Sequence, residues 1–284
     1  MNALPSVVAA PKSPFIGVFD SGVGGLTVLR ALHGVLPQVS LHYVADTAYA
    51  PYGERDSDFI AERSLAIAGH LIQQGAALLV VACNTATAHA VGALRQAWPD
   101  VPVVGIEPGV KPAVAASRHG RVGVMATHAT LTSSRYQDLL KAHAGQAQII
   151  GQACTGLAHA IESANLDAPE LDQLIARHCA PLREAGVDTV LLGCTHYPLV
   201  QDRIAHHLGA KVRLLNIEDA VARQAQRCWQ ALVIEASAHP AHIVLESTGD
   251  PAALTRLTQQ ALHWPLSARQ VTIRPDLSPT PAQT

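Results

Sequence analysis

Two short apolar runs constrain this chain more than any other feature. Leu78-Leu79-Val80-Val81-Ala82 leads into Cys83-Asn84-Thr85, and Thr189-Val190-Leu191-Leu192-Gly193 leads into Cys194-Thr195-His196. Each run is short, apolar and partly β-branched, so it reads as a strand of a parallel sheet buried on both faces. Each ends in a thiol followed by small hydrogen-bonding residues. Open α/β sheets bind ligands in the crevice outside the carboxyl ends of their strands. Two such thiols, one from each half of the chain, are therefore placed to face one substrate from opposite sides.

The surrounding rhythm is strand then helix. Strands are predicted at Phe15–Phe19, Leu41–Ala45, the run to Ala82 and Val101–Ile106, with helices at Leu26 to Gly34, Ser57 to Gln74 and Thr85 to Trp98. Gly75 is placed to end the second helix. The pattern then restarts with strands at Arg121–Met125, Gln148–Gly151 and Val187–Leu192, and helices at Leu131–Ala144 and Pro169–Ala185. Later strands are expected at Lys211–Leu215 and His242–Leu245. This alternation predicts α/β architecture: two similar doubly wound domains with parallel sheets and a cleft between them. Pro275 to Pro281 has too little apolar content to fold and is expected to be a disordered tail.

At 284 residues and 49% hydrophobic, the chain has ample material for a large core. The net charge of -2, without long runs of either sign, shows no nucleic-acid footprint. No uninterrupted apolar segment approaches about 18 residues, so no membrane span is expected. Met1–Pro14 lacks a basic leader, and a floppy extension is the expectation there. Five cysteines without tight spacing argue against a disulfide framework and for a reducing cytoplasm. No C-x₂-C pair and no H-E-x-x-H occurs, and the 15 histidines are scattered, so no metal centre is expected.

The turn Asp20-Ser21-Gly22-Val23-Gly24-Gly25 offers positive-φ freedom, close backbone approach and free amides for an anion at the following helix. Asp46 ends the next strand, where a dinucleotide site would carry its ribose acid, but Thr27 stands where the third glycine of G-x-G-x-x-G belongs. A plain structural turn is the other reading. Asp46 to Arg55, with Pro51 and Gly53, is a rigid loop at a strand end, either functional or a solvated connection with surface tyrosines. Cys83 and Cys194 are read as active because a helix amino end lowers a thiol pKa. Cys154, Cys179 and Cys228, in or near helical stretches, are read as structural. His196 can poise a thiol or bind a carboxylate, or simply pack.

Six segments in order then resemble one family: Gly17–Val28 around Asp20-Ser21, Asp46-Thr47-Ala48 with Pro51-Tyr52-Gly53, Ala82–Thr87, Gly105–Pro108, Gly193–Pro198 and Thr248-Gly249-Asp250. Together they resemble glutamate racemase, of the cofactor-independent aspartate/glutamate racemase group. The resemblance implies that Cys83 and Cys194 are the acid/base thiols, with Asp20 assisting near Cys83 and His196 and Glu162 near Cys194. It also implies that Asp20, Ser21, Pro51, Tyr52, Gly53, Asn84, Thr85, Thr195 and His196 hold the substrate, without cofactor or metal. A first domain of residues 1–106 plus 217–284 and a second of 107–216 are expected, because family chains cross over and return. Members often form homodimers, in differing arrangements. Thr155, Asn216-Ile217-Glu218 and Glu246-Ser247 depart from the family pattern and bear on the pocket and the return crossover.

Two thiols suit a racemase because one face of a carbon must lose a proton and the other must gain one. The α-proton of an amino acid is very weakly acidic, and no lysine sits in these motifs to form a Schiff base. Donors to the α-carboxylate must stabilise the carbanion-like transition state. The readings therefore run from glutamate racemase, supplying D-glutamate for peptidoglycan, to a racemase of aspartate or a hydantoin. Beyond these stand a non-catalytic small-molecule binder and a thiol hydrolase that would leave one cysteine idle.

Overall fold

In the computed structural model, which describes residues 13–163, 165–233 and 240–274, two parallel sheets carry the chain. The first series runs β1 (Phe15–Asp20), α1 (Leu26–Val35), β2 (Leu41–Ala45), α2 (Ser57–Gln73), β3 (Ala76–Val81), α3 (Asn84–Ala97) and β4 (Val103–Gly105). The second runs α4 (Val110–Ala116), β5 (Arg121–Ala126), α5 (His128–Thr132), α6 (Ser134–His143), β6 (Gln148–Ala153), α7 (Leu157–Glu162), α8 (Pro169–Glu184), β7 (Thr189–Leu192), α9 (Gln201–Leu208) and β8 (Arg213–Leu215). The chain closes with α10 (Glu218–Gln230), β9 (Ile243–Ser247), α11 (Pro251–Leu262) and β10 (Arg269–Gln270). The expected floppy extension before Ser13 and the expected tail from Pro275 lie outside the described residues.

The larger sheet has the order β10-β9-β2-β1-β3-β4 and the smaller β6-β5-β7-β8, every pairing parallel. The period of two along β1 explains its central place. Ile16 and Val18 pack on the face that α1, α10 and α11 cover, while Phe15 and Phe19 pack under α2 and α3. A strand apolar on both faces is stable only between helices, so α/β layering follows directly from the sequence. With four of the larger sheet's six strands laid down, the chain builds the whole smaller sheet. It then returns, and β9 pairs with β2 from Leu41↔Ile243 to Ala45↔Ser247. Ser247, one of the departures from the family pattern, serves this return: its hydroxyl lies 2.6 Å from Thr47 Oγ1, and Thr248 Oγ1 donates to Asp46 Oδ1 at 2.8 Å.

Some local expectations change. The predicted helix from Leu131 to Ala144 is two helices, because Ser133 is extended (φ -66°, ψ 143°) and caps the second by accepting from Tyr136 N. α2 opens on Ser57 as expected, and Asp56 before it supplies the cap, its carboxylate accepting from Phe59 N at 2.8 Å. Gly75 ends that helix at φ 106°, a conformation that costs a side-chain-bearing residue energy. Helices α4, α7, α9, α10 and α11 add to the expected elements.

Candidate active site

The carboxyl ends of both sheets converge. Asp20 ends β1, Asp46 follows β2, and Cys83 follows β3. From the smaller sheet Thr127 follows β5 and Cys194 follows β7 after one glycine. Both thiols are buried and free.

The two are joined by a short polar chain. Cys83 Sγ lies 3.7 Å from Ser21 Oγ, and Ser21 Oγ donates to Asp20 Oδ1 at 3.2 Å. Asp20 Oδ2 accepts from Thr195 Oγ1 of the other sheet at 2.8 Å, and Thr195 adjoins Cys194. On the far side Cys194 Sγ is 3.7 Å from His196 Nδ1, and His196 Nε2 is 2.5 Å from Glu162 Oε1. Glu162 Oε1 also accepts from Val23 N at 2.8 Å. Asp20, Ser21, Cys83, Thr195, Cys194, His196 and Glu162 thus form one connected network. It crosses between the two sheets twice.

The glycine turn earns its glycines by space. None of Gly22, Gly24 and Gly25 has a positive φ, which overturns that part of the expectation. A Cβ on Gly22 would overlap the Glu162 carboxylate, and one on Gly24 would come within 2.6 Å of His196 Nδ1. The amides expected to bind an anion are engaged by the protein's own carboxylates: Gly22 N by Asp20 and Val23 N by Glu162.

The thiols differ in setting. Cys83 caps α3, its sulfur accepting from Ala86 N at 3.4 Å. The expected lowering of its pKa does not follow. Burial first, and the Asp20 carboxylate second, outweigh that amide and push the thiol up to about 12. Cys194 enters a 3₁₀ turn over Tyr197–Val200 rather than an α-helix, so it is no helix cap. Its partner His196 is cationic: burial disfavours the charge, but the hydrogen bonds to Cys194 and Glu162 win and hold the imidazole well above its usual range.

Burial pushes the Asp20 carboxyl up to about 6, with His196 and the Gly22 amide opposing. The fold therefore holds a proton that the unfolded chain, titrating near 3.8, has already lost. Between those values stability falls as pH rises. Asp20→Asn is accordingly expected to raise the melting temperature at about pH 8, with the gain vanishing below about pH 4. A variant less stable than the parent at the higher pH would contradict this assignment.

The other expected residues are distributed unevenly. Asn84 is buried with neither side-chain oxygen nor nitrogen partnered, an arrangement that costs about 1–3 kcal/mol unless something fills it. Thr85 Oγ1 lies 3.1 Å from Thr127 Oγ1, the cap of α5, and 3.4 Å from Thr130 Oγ1 within that helix. Tyr52 is no surface tyrosine: its hydroxyl donates to Asp46 Oδ2 at 2.5 Å inside the core. Pro51 and Gly53 line a cavity of about 280 Å³ with Thr127, Cys154 and His159. Cys154, expected in or near a helix, directly follows β6 and shares the strand-end position of the other two thiols; burial pushes it up.

Sequence reasoning missed Tyr43, whose hydroxyl donates to Gly22 O at 2.5 Å and steadies the glycine turn. It also missed Thr127, Thr130 and Tyr197. Burial, then Cys194 and Cys154, push the Tyr197 phenol well above its usual range. Only alternation in the strands signalled the first of these.

Comparison with known proteins bears on this geometry. The Asp/Glu/hydantoin racemase family model matches residues 26–225. The chain is 48% identical to a glutamate racemase of Pseudomonas aeruginosa over 232 residues, covering 82% of this chain and 88% of that one. It is 43% identical to a glutamate racemase of Cupriavidus pinatubonensis over 274 residues, covering 96% and 98%. The structure of Escherichia coli glutamate racemase with L-glutamate and the activator UDP-MurNAc-Ala superposes with a TM-score of 0.82 at 30% identity, covering 92% of this chain and 99% of that one.

Proposed function

The chain belongs to the Asp/Glu/hydantoin racemase family, hence to the isomerases, and on that premise we propose that it interconverts L- and D-glutamate with two thiols and no cofactor. The observation that carries the reading is the network from Cys83 through Ser21, Asp20 and Thr195 to Cys194. It supports reading the strand-end thiol of each sheet as an acid/base group for one substrate.

In this mechanism one sulfur, as thiolate, takes the α-proton from one face. The bonding pair moves toward the α-carboxylate, and the other thiol delivers its proton to the opposite face. The first sulfur ends protonated and the second deprotonated, so the reverse reaction starts from the exchanged state. Each sulfur must come to about 3–3.5 Å from the carbon. Asp20 is the proton acceptor available to Cys83, and cationic His196, paired with Glu162, is the proton donor beside Cys194 and favours its thiolate. Asn84, Ser21, Thr85 and Thr195 supply donors for the carboxylates that stabilise the developing negative charge, an effect made stronger where water is excluded. Tyr52, with its hydroxyl committed to Asp46, acts by holding the Pro51–Gly53 backbone in place.

The sheet memberships support a first domain of 1–106 with 217–284 and a second of 107–216, closing on the substrate. Among the described residues no helix is long and apolar enough to cross a membrane. The role we propose is supply of D-glutamate for peptidoglycan in the cytoplasm, by a protein that forms a homodimer.

The test is solvent exchange. In deuterium oxide both enantiomers of glutamate should gain deuterium at Cα as they racemise. Aspartate, one methylene shorter, should react about 10- to 200-fold more slowly in kcat/KM. A chain that binds glutamate without exchange is a binding protein, and one that prefers aspartate acts on the other family substrate.

A further inference from the structure

Among the described residues a second group of ligand-type side chains converges away from the thiols. His42 on β2, His70 on α2 and Glu246 on β9 bring one nitrogen or oxygen each to within 4.8 Å of one another. Strand register explains it. Val44 pairs with Glu246, so His42, two residues before Val44, projects from the same face as Glu246, and α2 covers that face. In sheet order β1 lies between this pair and the strand that ends in Cys83.

The details are those of a ligand set. Both imidazoles aim Nε2 at one carboxylate oxygen: Glu246 Oε2 is 2.9 Å from His42 and 2.7 Å from His70. His42 is 4% exposed, so its Nε2 is a buried ligand-type nitrogen that faces the Glu246 carboxylate and no solvent. The other carboxylate oxygen, Oε1, accepts from Arg269 Nε at 3.0 Å and Nη2 at 2.7 Å. Oε2, which both imidazoles face, is thus the oxygen turned into the cluster while its mate is held from outside, the arrangement that orients carboxylate ligands. The Gln74 side-chain amide lies 2.7 Å from His70 Nε2, and with its oxygen turned inward it offers a fourth donor. His70 and Arg269, whose side chains are 14% and 65% exposed, give a route from solvent.

We propose that His42, His70 and Glu246 form a binding site for a divalent cation of the zinc class. Two neutral imidazoles and a carboxylate with an open fourth position are donors that zinc accepts. Tetrahedral bonds of about 2.0–2.1 Å put ligand atoms roughly 3.3 Å apart, so each N···O gap widens by about half an ångström. Each imidazole gives its Nε2 lone pair and carries its ring proton on Nδ1. The ion ties β2, α2 and the returning β9 together. It is a stabilising site and takes no part in the racemisation.

The experiment uses the Cys83→Ser/Cys194→Ser chain, so that the paired thiols cannot take the metal. Calorimetric titration with zinc chloride should show one equivalent bound, and the melting temperature should rise with zinc. Cobalt should give visible absorption bands. His70→Gln, on a half-buried helix position, and His42→Gln should each lose the binding, while Arg269→Gln should weaken it about tenfold. Far-UV circular dichroism checks that each variant is folded; should His42→Gln fail that check, His70→Gln decides. Absence of zinc binding at micromolar free metal, or unchanged stoichiometry and affinity in folded His70→Gln, overturns the site.

Discussion

Cys83→Ser and Cys194→Ser are each expected to lower the racemisation rate by about 10³-fold or more while leaving the protein folded. The size follows from what each thiol does: loss of a positioned acid or base costs about 10²–10⁴ in rate, and the serine hydroxyl is a far weaker acid than a thiol. Serine is the better replacement at position 83 because the sulfur caps α3 through Ala86 N, and serine is among the favoured capping residues. Alanine there would confound lost chemistry with a lost cap worth about 1 kcal/mol.

The two variants also carry a signature that a merely structural thiol lacks. With one base left on one face, only one enantiomer can lose its α-proton. Each variant should therefore retain traces of deuterium exchange into a single enantiomer of glutamate, and the two variants should favour opposite enantiomers. Near-normal racemisation in either one removes that cysteine from the mechanism. Exchange into the same enantiomer by both variants would place both sulfurs on one face.

The raised Cys83 thiol fits such a scheme. At about 12 the group rests protonated, ready as the acid for one direction. To act as the base it needs its proton drawn off, and Asp20, titrating near 6 and linked through Ser21, is the acceptor within reach. The energetic cost of burying Asp20 is thus placed where the chemistry uses it.

What could be read from the sequence, and what could not, divides along physical lines. β1, β2, β3, β5 and β7 were legible because strands buried on both faces are continuous apolar runs, and the thiols were legible because they interrupt such runs at the end. Position along a strand is local information. The pKa of Cys83 is not: it depends on Asp20, 63 positions earlier in the chain, and on burial that only the packed fold creates. Tyr52 shows the same limit. The Pro51-Tyr52-Gly53 motif marks a loop, but the destination of its hydroxyl at Asp46 depends on how β2 and α2 pack. The break at Ser133 was hidden because the apolar period continues through it, while the serine hydroxyl starts a new helix.

The buried Arg63–Asp46 pair leads to the largest expected change in stability. Asp46 is fully buried and its carboxylate is saturated: Oδ1 accepts from Arg63 Nη2 at 2.7 Å and from Thr248, and Oδ2 accepts from Arg63 Nε at 3.1 Å and from Tyr52. Arg63 Nη1 further donates to Ile273 O at 3.1 Å, tying the last described segment to the body. A two-pronged guanidinium contact of this kind cannot be reproduced by lysine or by an apolar side chain. Arg63→Met keeps most of the stem but leaves a carboxylate in the core without its cation. Removing one partner of a buried pair costs about 3–5 kcal/mol, against at most about 1 kcal/mol for a surface pair such as Lys141–Asp138. At about 2–4 °C per kcal/mol for a chain of this size, the melting temperature should fall by roughly 6–20 °C, whereas Lys141→Met should leave it unchanged within about 2 °C. The same loss frees Tyr52 and with it the Pro51–Gly53 loop, so KM for glutamate should rise more than kcat falls. A drop of less than about 1 kcal/mol in a denaturant titration would mean that water reaches Asp46 in the fold, and that the hydrogen bonds from Tyr52 and Thr248 suffice to hold it.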